Sequence, residues 1–218
     1  MNSAHRLLAL AVCLTFSPLA ELSAQATVSG TVSLPPPPPT DVIAKRYNMV
    51  SDGSTLTPSP PIAIVWLEGA STSDSATPTA NAEISQENFV FEPALLPIQV
   101  GTTVAFPNHD EEYHNVFSYS KAKRFDLGRY MPDEKPVPTQ TFNKPGQIIL
   151  RCDVHEHMKA VILVLETPYF TSSDTEGSFT LADIPKGEYT LKAWVDTKTT
   201  FEKAITIDDE TEISVSFD

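Results

Sequence analysis

The sequence is short of several things, and each shortage narrows what the chain can be. It has only two cysteines, one of them, Cys13, in the apolar leader. If that leader is removed, Cys152 stands alone, and a framework of internal disulfides is excluded. No apolar run is long enough to cross a bilayer. The longest, residues 7–16, falls well short of the ~20 residues a spanning helix needs. It follows His5 and Arg6 and precedes Pro18 and a small-residue stretch ending Ala24-Gln25-Ala26. That layout is expected of a secretory signal peptide over residues 1–26, so the mature protein is expected in the periplasm or outside the cell, without an integral membrane segment. Positive charge is also scarce. Fifteen Lys and Arg stand against 28 Asp and Glu, a net charge of -13. Such a balance excludes nucleic acid, whose phosphates demand a basic surface. It suits solubility or a basic partner equally well.

Helix signals are nearly absent. Nineteen prolines and short alternating apolar segments bounded by Gly, Pro, Asn and Asp predict an all-β chain. Strands are expected at residues 27–34, 62–68 (IAIVWLE), 83–92, 98–106, 114–119, 139–142, 148–152 and 159–166. More follow at 178–181, 189–195, 204–207 and 212–217. Five consecutive prolines, 35–39, read as a stiff polyproline segment, and residues 71–82 have linker composition.

What is present is a cluster of soft and borderline ligands. Cys152, His155, His157 and Met158 lie within seven residues, between two apolar segments. A thiolate and two imidazoles with a distant thioether make the blue-copper arrangement. One strand-to-strand loop supplies Cys, His and Met, and the second imidazole must come from elsewhere. His114, opening a strand in His114-Asn115-Val116, fits that place. The plain alternatives are a buried bystander cysteine, surface histidines, and a Met that only packs. A structural zinc site from the same donors is chemically possible. A cysteine-protease pair fits less well, because Cys and His share one short loop. His109 reads as a loop residue. The acidic run Asp110-Glu111-Glu112 reads as a solvated loop or as a docking patch.

Phe142-Asn143-Lys144-Pro145-Gly146, then Cys152-x-x-His155-x-x-Met158, with His114-Asn115-Val116 upstream, resembles the cupredoxins. The short ligand spacing is similar to that of amicyanin. The resemblance covers roughly residues 83–166. It implies a Greek-key β-sandwich holding one copper ion, cycling between Cu(I) and Cu(II), on His114, Cys152, His155 and Met158. It also implies that Asn115 hydrogen-bonds near the thiolate and ties the ligand loops together. The implied function is electron transfer without substrate turnover, so not an enzyme, with a redox partner such as a cytochrome c or a dehydrogenase or oxidase. Copper handling and an extracellular binding module are the alternatives.

The last fifty residues resemble a carboxypeptidase regulatory-like (transthyretin-like) domain. The match is carried by Thr175-Glu176-Gly177-Ser178-Phe179-Thr180-Leu181 and Ile184-Pro185-Lys186-Gly187-Glu188-Tyr189-Thr190-Leu191. The first strands of such a domain match Ser29-Gly30-Thr31-Val32 and Ala63-Ile64-Val65-Trp66-Leu67, far upstream. The expected organisation is therefore a second, smaller transthyretin-like β-sandwich in two parts, 27–82 and 167–218. The cupredoxin, 83–166, is inserted between them. Two sequential domains are the alternative. The whole layout resembles periplasmic methylamine-utilisation or plastocyanin-like proteins. Trp66 and Trp194 are expected in the core of the smaller sandwich. Residues 159–166, extended at ~3.3 Å each, are expected to carry the chain away from the ligand loop. The smaller sandwich would then sit at the far end and leave the metal edge free.

Overall fold

A computed structural model describes residues 26–36, 60–69, 82–133, 135–208 and 212–217. Residues 1–25 of the expected leader, three of the five prolines (37–39) and residues 71–81 of the expected linker lie outside these residues. The described residues contain no helix, and so none long and apolar enough to cross a membrane. They form four stacked sheets with three apolar cores between them.

The first sheet has the order β14-β1-β17. Here β1 (Ala26–Val32) runs antiparallel to β14 (Ser178–Ile184) and parallel to β17 (Glu212–Phe217). The second sheet has the order β13-β2-β15-β16, formed by β2 (Ile64–Glu68), β13 (Phe170–Ser172), β15 (Gly187–Trp194) and β16 (Thr200–Ile207). Strands from the two ends of the chain thus pair with one another: Ile64 lies opposite Trp194 and Glu68 opposite Thr190. The turn into β14 forms where Asp174 and Gly177 predict it. Asp174 Oδ1 accepts from the amides of Glu176 and Ser178 at 3.0 and 2.8 Å. Gly177 has φ +87°, and a side chain there would run into the backbone of Val32.

The third sheet, β6-β12-β11-β8-β9, is built from β6 (Leu95–Gln99), β8 (His114–Tyr119), β9 (Arg124–Tyr130), β11 (Gly146–Arg151) and β12 (Lys159–Leu165). The fourth, β10-β7-β3, contains β3 (Ala82–Glu83), β7 (Thr103–Ala105) and β10 (Thr139–Thr141). A separate hairpin joins β4 (Ser85–Glu87) to β5 (Val90–Glu92). Strand β9 has no counterpart in the sequence expectation. It is an edge strand with charged and exposed residues along most of its length, so its apolar alternation is faint.

Alternation along two strands explains the stacking. In β12, Ala160, Ile162 and Val164 enter the core against the fourth sheet, while Val161, Leu163 and Leu165 enter a different core on the opposite face. In β2, Val65 and Leu67 face the first sheet, while Ile64 and Trp66 face β12. Strands covered on both faces read as continuous apolar runs, which is why KAVILVL and IAIVWLE lack polar alternation. Contrary to expectation, Trp66 and Trp194 are therefore not in the core of the smaller sandwich. They lie in the shared core between second and third sheets, where Trp194 Nε1 donates to Gln147 Oε1 at 3.2 Å. The smaller unit accordingly packs along the flank of β6 and β12, from Val161 onward, not only at the far end of the strand.

Trp66 is 8% exposed in this shared core. Trp66→Ala should lower stability by about 3–5 kcal/mol, seen as a lower urea midpoint. An unchanged midpoint would contradict a core common to both halves.

Candidate metal centre

One pairing assembles the site. β11 and β12 form a hairpin in which Arg151 lies opposite Lys159, so residues 152–158 are its connecting loop. On its other side Arg151 lies opposite Phe117 of β8. Antiparallel register then sets the residues after Arg151 beside those before Phe117, which brings Cys152 to the start of β8. The Asn115 amide donates to Cys152 Sγ at 3.4 Å, and His114 Nδ1 lies 4.0 Å from the same sulfur. The loop turns back when the Met158 amide donates to the His155 carbonyl at 2.9 Å. That turn carries the His155 ring to His114, with the two Nδ1 atoms 3.0 Å apart.

Donor atoms of His114, Cys152 and His155 thus lie within 4.8 Å of one another. His114, Cys152 and Met158 are buried and His155 is half-buried. Met158 packs in the same core as Cys152. Two nitrogens 3.0 Å apart and a sulfur 4.0 Å from one of them suit bonds of about 2.0–2.3 Å to a single ion. The chemistry of the donors agrees. Burial alone would raise the Cys152 thiol pKa, but hydrogen bonds from His114 and from the Asn115, His155 and Val154 amides hold it below its ordinary value. A thiol so placed tends toward thiolate, the metal-binding form. Burial, with His114 and His157 nearby, holds His155 below the usual imidazole value, toward the neutral ligand form. Burial pushes His114 the same way, but the Cys152 sulfur and the Asp110 carboxylate outweigh it and raise the pKa.

No family model and no curated protein sequence matches the chain. Among solved structures, it is similar over 46% of its length to a Cu-containing nitrite reductase (NirK) from Thermus scotoductus SA-01, with 27% identity and a TM-score of 0.38. That match spans only 25% of the nitrite reductase chain. A reduced Cu(I) amicyanin variant matches over 46% of this chain and 98% of its own, with 18% identity and a TM-score of 0.36. A purple cupredoxin from Nitrosopumilus maritimus matches over 38% of this chain and 99% of its own, with 23% identity and a TM-score of 0.34.

The remaining residues singled out from sequence fall in several places. His157 stands beside the cluster, its ring centroid 6.1 Å from that of His155, and its Nε2 donates to the Phe89 carbonyl at 3.0 Å. His109 is exposed. Asn115 reaches the sulfur through its main-chain amide. The side-chain Nδ2 donates instead to Asp126 Oδ1 at 2.7 Å and to the Gly128 carbonyl at 3.1 Å, tying β8 to β9. A register shift between Asn115 and Phe117 accompanies this turn toward β9. The ligand loop is instead linked to β9 by Arg129 and Asp153, paired at 2.9 Å on the exposed surface, where such pairs contribute little.

Two neighbours were not expected. Asp110 Oδ2 accepts from His114 Nε2 at 2.8 Å, although the acidic run read only as solvent-facing. The Phe89 ring stands edge-on to both imidazoles, with centroids 5.8 Å from His114 and 5.0 Å from His155. A carboxylate four residues before His114 is the signal for the first. Nothing in the sequence marks the second.

His155→Ala removes one of the converging nitrogens and His157→Ala does not. Removing a direct ligand costs more than the 10–100-fold typical of an outer partner. Competition against a chelator should therefore show metal affinity falling at least about 100-fold in the first variant and staying within about threefold in the second. The reverse order would move the site to His157.

Proposed function

We propose that this chain is a copper-binding electron-transfer protein with one mononuclear type 1 site, held by His114, Cys152, His155 and Met158. The observation that carries this reading is the meeting of a buried thiol and two imidazole Nδ1 atoms in one strand-loop-strand corner. Bound there, copper would supply a one-electron couple between Cu(I) and Cu(II), with thiolate and imidazole together suiting both states.

The protein's part is to hold that donor set still. Cys152 and His114 are fixed by adjacent strands, so neither has to move when the charge changes. His155 is carried by a short loop closed by the Met158 amide. The amides around Cys152 Sγ disperse thiolate charge, and a thiolate hydrogen-bonded in this way is less strongly donating toward a metal. Met158, buried at the head of β12 in the same core as Cys152, would supply the weakly bound thioether. Copper handling without electron turnover needs no such rigidity, and this favours the electron-transfer reading.

The same reading makes residues 83–166 a cupredoxin domain inserted into a carboxypeptidase regulatory-like domain made of 27–82 and 167–218. Its support is the sharing of sheets between strands from the two ends of the chain. The protein would work in the periplasm or outside the cell, exchanging electrons with a redox protein rather than transforming a substrate.

Loading with Cu(II) should give an intense thiolate-to-copper band at ~600 nm that is bleached reversibly by reductant. Cys152→Ser should abolish the band. A colourless copper complex, or a Cys152→Ser variant that stays blue, would contradict the assignment. Met158→Leu should keep copper and raise the reduction potential, since a long thioether bond tunes the ion more than it anchors it. Complete loss of copper in that variant would contradict the axial role.

A further inference from the structure

The β4–β5 hairpin contributes no donor to the candidate centre, yet its tip lies directly on it. Asn88 and Phe89, its two turn residues, both adopt left-handed backbone, with φ of 54° and 61°. That is the tight two-residue hairpin geometry, which a residue as bulky as Phe enters only against a steric penalty. The structure shows what holds it there. Asp110 Oδ1 accepts from the Asn88 amide at 2.7 Å and Oδ2 from the Phe89 amide at 2.9 Å. On the other side His157 Nε2 donates to the Phe89 carbonyl at 3.0 Å. Asp110 is itself anchored, its amide donating to Asn108 Oδ1 at 2.9 Å, and the neighbouring His109 amide donates to the Gln86 carbonyl of β4 at 2.8 Å.

The same carboxylate also accepts from His114 Nε2 at 2.8 Å. A carboxylate only accepts, so Nε2 carries a proton, and with an ion bound the Nδ1 that faces Cys152 would give up its own proton and offer its lone pair to the centre. One side chain therefore sets the tautomer of His114 and holds the hairpin tip over it. Phe89 is 38% exposed as a residue, and its ring lies against both imidazoles.

We propose that Asp110 is a positioning residue that orients His114 and, through the same carboxylate, clamps Phe89 as a cap over the His114–His155 pair, keeping water and small anions off the metal. This rests on the copper reading above for what is protected, though not for the clamp itself.

The test compares the full chain with Phe89→Ala, Asp110→Ala and Asp110→Asn. Without metal, the readouts are iodoacetamide alkylation of Cys152, followed by mass spectrometry, and amide hydrogen exchange at Asn88 and Phe89. With copper, they are the rate of extraction by a chelator, the spectral response to azide, and the reduction potential. Phe89→Ala should speed alkylation and extraction by about tenfold, the scale of losing a locally closed state, and should make the site responsive to azide. Asp110→Ala should do the same, speed exchange at Asn88 and Phe89, and raise the potential, because a negative charge beside His114 is gone. Asp110→Asn keeps one acceptor oxygen and should restore part of the slow alkylation but not the potential. Unchanged alkylation and extraction in Phe89→Ala would overturn the cap. Unchanged potential in Asp110→Ala would overturn the positioning role, which a purely structural residue would not reveal. A wild-type protein that never turns blue would instead fail the copper reading, while alkylation and exchange still decide the clamp.

Discussion

The pairing of Arg151 with Phe117 is the constraint on which the rest depends. It aligns the end of β11 with the beginning of β8, so that Cys152 meets His114 although the two are 38 residues apart in sequence. Once that register holds, the loop to β12 needs to deliver only His155 and Met158. A slip of one residue would turn Cys152 and the side chains of β11 to the opposite face of the sheet. Ile148 and Leu150 point into the same core as Cys152, so their burial enforces the register that makes the centre.

Burial on both faces of β12 extends this logic to the whole chain. Its even residues help build the core under the candidate centre, and its odd residues build the core shared with β2 and β15. The strand that leaves the ligand loop is thus braced from both sides. The smaller sandwich is therefore more than a distant base: it packs on the back of the sheet whose front carries Cys152. The candidate centre keeps only its outer edge for contact with solvent, and there the hairpin tip lies against it.

Much of this was legible in the sequence, for physical reasons that also mark where legibility stopped. Alternating apolar residues and turn residues located β8, β11 and β15 closely, and continuous apolar runs located β2 and β12, because their apolar faces are strongly buried. Gly177, with positive φ, marked a real turn. The donor types pointed to His114, Cys152, Met158 and one of His155 and His157, and the resemblance to the cupredoxins chose His155; the fold brings the ligand atoms of His114, Cys152 and His155 together and buries Met158 in the same core. Strand β9 was missed because an exposed edge strand shows little alternation. The flank packing of the two units was missed because a continuous apolar run says that both faces are covered, not by what. Asp110 and Phe89 were missed because an acidic loop and a hairpin tip acquire meaning only from what the fold sets beside them.

The account stands on a single ion sharing the Cys152 sulfur and the two facing imidazoles. X-ray absorption at the copper edge of the loaded protein tests this most directly. One short copper–sulfur bond together with two imidazole nitrogens in the inner shell is the predicted result. An inner shell of nitrogen and oxygen alone, with no thiolate sulfur, would contradict it.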